Sequence, residues 1–282
     1  MPRRTNQVYK ELINHLIEKH FLRSIRFSKR MMLELIQKEN WQEKISVIIA
    51  KETVACQDVL KICETTMNSL SDAPENGWLP YTYDYILNRI FPEDVPDKTI
   101  PACEAGMLFY LEVMRMFLRY ETENKVFDKR IHLEFLTPHE IDKVESADEY
   151  NHLIQLFKEN YIYEFMRIGQ EITKYKTLSH VSGVHYISLH IGRQLLQAGI
   201  PIDLALVSGA AIGHDIGKYG CKPEEAKRIP YLHYYYTDKY FKKNGMPAIG
   251  HIASNHSTWD LELENLSVES LVLIYSDFRV KS

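Results

Sequence analysis

The sequence predicts an all-α protein, and three observations carry that reading. Apolar residues recur at three- and four-residue steps, through Val8, Leu12, Ile13, Leu16 and Ile17 and again through Met31, Met32, Leu35 and Ile36. Two segments carry helix-start chemistry. Thr137-Pro138-His139-Glu140 has a capping threonine, a proline at the first helical position and a glutamate three residues after the cap. Ser146-Ala147-Asp148-Glu149 repeats the pattern. Strand signals are scarce, and only His132-Leu-Glu-Phe135 reads as a short extended piece.

Taken in order, the periodicity predicts helices in the first forty residues and a helical stretch from about Trp41 to Leu70. Turn chemistry follows at Asp72-Ala-Pro-Glu-Asn-Gly-Trp78. Two prolines break the chain again within Phe91-Pro-Glu-Asp-Val-Pro-Asp97. A helix is expected from about Ala102 to Leu118, then a charged connector to Lys129. A long helix opened by Ser146 is expected to reach about Tyr175. Ser267 to Lys281 reads as a last helix, with Leu271, Ile274, Tyr275 and Phe278 facing inward. Internal repeats and low-complexity tracts are lacking. Residues 1–165 form a helical region with no recognisable chemistry, a candidate for docking, regulation or self-association. Residues 166–282 hold the candidate chemistry.

The 282 residues are 45% hydrophobic and 26% charged, which suits a globular chain that builds a core without disulfides. A formal net charge of −4 excludes a broad nucleic-acid-binding surface. Cys56, Cys63, Cys103 and Cys221 show no CxxC spacing and read as reduced thiols, with Cys56 and Cys63 as core residues of one helix. Neither a signal peptide nor a run of ~18 apolar residues is present. The expected address is the cytoplasm, away from membranes.

The histidines are unevenly spread. Seven of twelve, His180, His185, His190, His214, His233, His251 and His256, lie within 77 residues. Imidazoles are costly to cluster unless they share a metal or a proton. The strongest element is Ala210-Ala-Ile-Gly-His-Asp-Ile-Gly-Lys218, where an apolar helix from Ile202 to Ile212, stopped by Gly217, delivers two metal-capable groups. Neighbouring helical positions differ by about 100°, so His214 and Asp215 reach one edge of the helix end. The histidine supplies a neutral nitrogen and the aspartate an oxygen that can bridge two cations. His180 is in register with Val184, Ile187 and Ile191, so it lies on a buried face, where an unpaired imidazole is expensive. His185 and His190 lie off that stripe and read as supporting or surface residues. His251 and His256 are about 140° apart on a helix, so one site cannot take both unless the helix ends between them. Asn255-His256-Ser257-Thr258 reads as that end, which favours His256 over His251 as a ligand. Asp277 sits among apolar neighbours, where a carboxylate needs a partner and a metal would serve.

The order His180…His214-Asp215…His233…His256…Asp277 resembles the signature of the HD-domain metal-dependent phosphohydrolases, and Ala-Ile-Gly-His-Asp-Ile-Gly-Lys is similar to their HDIG branch. The resemblance covers roughly residues 165–282. It implies a helical bundle converging on one or two divalent ions, with His180, His214, Asp215 and Asp277 as the core site and His233 and His256 completing a second position. Manganese, iron, magnesium, nickel and zinc are not distinguished by these ligands. Members that cleave cyclic di-GMP often carry a His-His doublet and a Gly-Tyr-Pro triplet. Here Asn255-His256 stands in place of the doublet, and Trp259-Asp-Leu-Glu-Leu-Glu-Asn265 lacks the triplet. The chain stops five residues after Asp277, where such domains continue, so a minimal domain or a fragment of a longer protein is expected.

The activity implied is hydrolysis of a small, nucleotide-like phosphoester by metal-activated water. Asp215 anchors or bridges the ions in that reading, and Lys218, one turn on, meets a phosphate oxygen. Lys222, Lys227 and Arg228 read as surface charges. Arg279 is a further candidate phosphate contact. Tyr234, Tyr235 and Tyr236 are candidates to stack on a base, with at least one turned into the core. Two other classes share these residues: a di-iron oxygenase like the inositol oxygenase group, and an inactive HD signalling or scaffold module.

Overall fold

The structure is a computed structural model that describes residues 2–19, 28–92, 103–124, 131–173, 176–257 and 266–280. Every regular element among them is helical, as the periodicity predicts. Residues 132–135 join no sheet. The chain forms two compact units, Met1–Tyr85 with Asp94–Phe127 and Ile86–Glu93 with Asp128–Ser282.

The first unit contains α1 (Pro2–Glu18), α2 (Lys29–Lys38), α3 (Trp41–Ala50), α4 (Cys56–Leu70), most of α5 (Trp78–Ile90) and α6 (Glu104–Asn124). The expected stretch from Trp41 to Leu70 is thus two helices, separated at residues 51–55. The turn at 72–78 is present, with Gly77 in the left-handed region at φ 84°. Cys56 and Cys63 are fully buried, and the Tyr110 hydroxyl donates to the Cys56 carbonyl at 3.0 Å. Glu112 is buried and meets His15 at 2.6 Å and Lys19 at 3.1 Å, which offsets its desolvation.

The second unit contains α7 (Pro138–Ile141), α8 (Ala147–Glu159), α9 (Ile162–Ile172), α10 (Thr177–Gln197), α11 (Leu204–Gly213), α12 (Gly217–Gly220), a 3₁₀ turn at Pro223–Arg228, α13 (Ile229–Lys243), α14 (Pro247–Ser254) and α15 (Val268–Arg279). The Thr137 capping box forms: Glu140 accepts from the Thr137 N–H at 2.8 Å and returns its own N–H to Thr137 Oγ1 at 3.3 Å. The Ser146 box does not. Ser146 makes no side-chain cap, and Glu149 instead accepts from the N–H groups of Ala248 and Ile249 at 3.1 and 3.0 Å, capping α14. The helix expected from Ser146 to Tyr175 breaks at Tyr161, which adopts φ 55°, and becomes α8 and α9. Tyr175, the connector residues 125–129, Glu93 to Asp97, Trp259 to Asn265 and Lys281 lie outside the described residues.

Two local expectations are corrected. Gly217 does not stop the apolar helix: α11 ends at Gly213, with His214 as its C-cap, and Gly217 opens α12. A Cβ there would lie 2.0 Å from the His233 carbonyl oxygen, so its role is to admit the backbone of α13. On α15 the inward residues are Val272, Leu273 and Ser276, whereas Leu271, Tyr275 and Phe278 are exposed, Phe278 at 72%. The neighbouring stripe of the same period wins because it also turns Asp277 towards α10 and α11.

Candidate metal centre

The centre begins with α11. Nine of its ten residues are buried and all are small or apolar, so packing positions it from every side. Asp203 caps it, accepting from Ala205 at 2.8 Å and Leu206 at 3.2 Å, while its other oxygen takes the Ser146 N–H at 2.9 Å. Gly209 and Gly213 let Ile249 of α14 and Phe241 of α13 press onto the helix. Its C-terminal end is held from α13, where the Thr237 hydroxyl donates to the His214 carbonyl at 3.0 Å and accepts from Gly217 N–H at 3.1 Å. Sequence reasoning missed Thr237, although it lies four residues after His233 and therefore on the same helical face.

His180 from α10, His214 and Asp215 from the end of α11, His233 from α13, His256 just past α14 and Asp277 from α15 converge. His180 Nε2 lies 2.9 Å from Asp277 Oδ1 and 3.3 Å from His214 Nε2. Asp215 faces two ways. Its Oδ2 is 3.6 Å from Nε2 of both His180 and His214, and its Oδ1 is 3.7 Å from His233 Nε2. His233 Nε2 in turn lies 3.5 Å from His256 Nε2. Two overlapping groups, His180 with His214 and Asp277, and His214 with Asp215 and His256, are each compact enough to hold a metal ion.

The tautomers sharpen this. His214, His233 and His256 each turn Nδ1 onto a backbone carbonyl, of Ala211 at 2.9 Å, Ile229 at 2.7 Å and Ala253 at 2.6 Å. A carbonyl only accepts, so Nδ1 carries a proton in each, and the neutral form of each ring aims its Nε2 lone pair into the cluster. Lone pairs facing one another at 3.5 Å repel unless a cation lies between them. Burial lowers the pKa of His233 and drives that of His256 down to about 3, so a proton is a poor cation for that pair. Burial also opposes charge on His214, but Asp215 and Asp277 outweigh it and raise its pKa. Burial alone would raise both carboxyls. The imidazoles around them, with Lys218 beside Asp215, outweigh it and hold each well below the usual carboxylate range. The donor set therefore fits a metal: imidazole nitrogens aimed inward, ionised oxygens and a His233–His256 pair that resists protonation.

No protein-family model, curated protein or solved structure matches the chain.

The cluster opens into a cavity of about 580 Å³ lined by His180, Asp215, Lys218, His233, His256 and Asp277, with Ile229, Pro230, Tyr234 and Val280. Lys218 lines it but is engaged, its Nζ 2.5 Å from Asp215 Oδ2. Arg279 is exposed and is not part of the lining. His251 is exposed beside Asn255, and His190 is exposed and stacked on Tyr186. His185 is buried away from the cluster and hydrogen-bonded to Ser208 at 2.9 Å. Of the three tyrosines, Tyr235 is exposed, Tyr236 packs on Phe91 and donates to Glu225, and Tyr234 alone reaches the cavity.

Proposed function

We propose that this centre holds divalent metal ions, two when fully loaded, and hydrolyses a small nucleotide-like phosphoester. The observation that carries the reading is the placement of Asp215. One oxygen faces His180 and His214 and the other faces His233, so a single carboxylate spans both halves of the ligand set. A divalent ion at such a position supplies Lewis acidity towards phosphoryl oxygens and makes water nucleophilic near neutral pH. The chain's own residues do the rest. His214, His233 and His256 are locked in the ligating tautomer by backbone carbonyls, which limits reorganisation on loading. Lys218 brings positive charge to the cavity and can exchange Asp215 for a phosphate oxygen. Ile229, Pro230 and Val280 offer an apolar wall for a base or sugar. The resemblance to the HD phosphohydrolases supports the same reading.

The test is metal analysis joined to a screen of nucleotides, dinucleotides and cyclic dinucleotides with manganese, iron, nickel or magnesium. His214→Ala and Asp215→Ala should each lose bound metal and hydrolysis together. Full metal content in either variant would overturn the site. A mixed-valent di-iron signal without hydrolysis in manganese would move the assignment to oxygen chemistry.

A further inference from the structure

Resting on the phosphoester reading, we propose that Tyr234 donates a hydrogen bond from its hydroxyl to the oxygen that departs from phosphorus. In this way it sets which leaving groups the site turns over. The cavity wall limits which groups can act there. Five of its residues, His180, Asp215, His233, His256 and Asp277, are candidate ligands, and Ile229, Pro230 and Val280 are apolar. Two protic donors remain, Lys218 and Tyr234. The Lys218 ammonium is held by Asp215 Oδ2 at 2.5 Å.

Tyr234 is held differently. Its ring lies against the His233 ring, with centroids 3.8 Å apart, and against the His256 ring at 4.8 Å. Its hydroxyl accepts a hydrogen bond from Ser257 Oγ. A phenol oxygen that accepts from serine keeps its own proton, and among the described residues nothing else takes it. The hydroxyl is half-buried and close enough to Asp215, Asp277 and Lys218 to feel their charges. A neutral O–H fixed beside the ligands can stabilise negative charge building on a leaving oxygen, and stabilises little in the ground state. Its two aromatic neighbours, and a serine that directly follows His256, place it.

The experiment compares wild type with Tyr234→Phe, which keeps the ring and removes only the hydroxyl. Two probes are used in manganese: p-nitrophenyl phosphate, whose leaving group needs little help, and phenyl phosphate, whose leaving group needs more. The variant should keep its metal content and KM. Its kcat should fall by about 100-fold or more on phenyl phosphate and by less than about 5-fold on p-nitrophenyl phosphate. Equal losses on the two esters, or a rise in KM at constant kcat, would overturn the proposal and make Tyr234 a binding residue. Inactivity of the wild type on both esters would overturn the phosphoester reading, and this inference with it. Loss of metal in Tyr234→Phe would also overturn it, since the hydroxyl would then act through the ligands.

Discussion

Asp215 and His185 are both buried, yet burial has opposite consequences for them. Asp215 keeps its charge because His214, Lys218, His256 and His180 surround it. His185 has no such company. Desolvation, aided by Arg193, pushes its pKa down to about 3, and it sits neutral against Ser208, which in turn contacts the Tyr150 hydroxyl at 3.0 Å. The folded value lies below the ordinary 6.5, so between those limits the unfolded chain binds a proton that the folded chain refuses. Stability from this residue is therefore present above pH 6.5 and falls as pH drops towards 3. In metal-free protein, His185→Gln should flatten the dependence of unfolding free energy on pH by about 1.4 kcal/mol per unit near pH 5. Urea unfolding at pH 7, 5 and 4 measures it, and an unchanged slope would mean that His185 is protonated in the fold. At this scale the sequence was informative about His214, Asp215 and His180, whose neighbours in the chain set their face. It is poor for His185, which lies off the stripe of Val184, Ile187 and Ile191 and is nonetheless buried.

Helices and their ends decide how the six side chains meet. Gly217 shows how strictly. Its absent Cβ leaves room for the His233 carbonyl and for Thr237, and its N–H is itself bonded to Thr237. Gly217→Ala places a methyl against backbone rather than against a movable side chain, and should cost about 3 kcal/mol or more. It should also weaken metal binding, because His233 and His214 are both held through that contact. Denaturant unfolding with metal titration checks both, and a loss below about 1 kcal/mol would mean that the α12–α13 approach is soft. The two capping boxes make the complementary point. Thr137 and Ser146 are followed by the same glutamate spacing, yet only the first closes on itself. Glu149 is drawn to the bare N–H groups of α14, and Ser146 N–H goes to Asp203, so long-range partners outcompete a local one. Nothing within four residues of Ser146 announces this.

At the scale of the whole molecule, the candidate centre is drawn from five helices of the second unit, so a metal bound there would tie them together. An ion that binds only the folded state adds about 2.7 kcal/mol when present at 100 times its Kd. For a unit of this size that corresponds to a rise in Tm of roughly 5–10 °C. Thermal scans in manganese and in chelator should show that rise in the wild type and none in Asp215→Ala; equal shifts in both would place the stabilising ion elsewhere. None of the described helices is long and apolar enough to cross a membrane. The second unit takes in α7 and α8, upstream of residue 166, where the sequence places the start of its candidate chemistry, because Asp203 and Glu149 tie that segment to α11 and α14. A motif records chemistry and a compact unit records contacts, so the two limits need not coincide.

The sequence by itself determined the helical class, the placement of His180 on a buried face and the pairing of His214 with Asp215 at a helix end, since each follows from spacing along one chain. It also separated His256 from His251, through the helix end between them. Only the tertiary structure decided that Asp215 faces two histidine pairs, that Nδ1 of three histidines is tied back to carbonyls, and that Tyr234 rather than Tyr235 or Tyr236 reaches the cavity. It likewise turned Leu271, Tyr275 and Phe278 outward on α15. These outcomes depend on which of several equally periodic faces finds a neighbour, and that choice is made by packing between helices far apart in the chain.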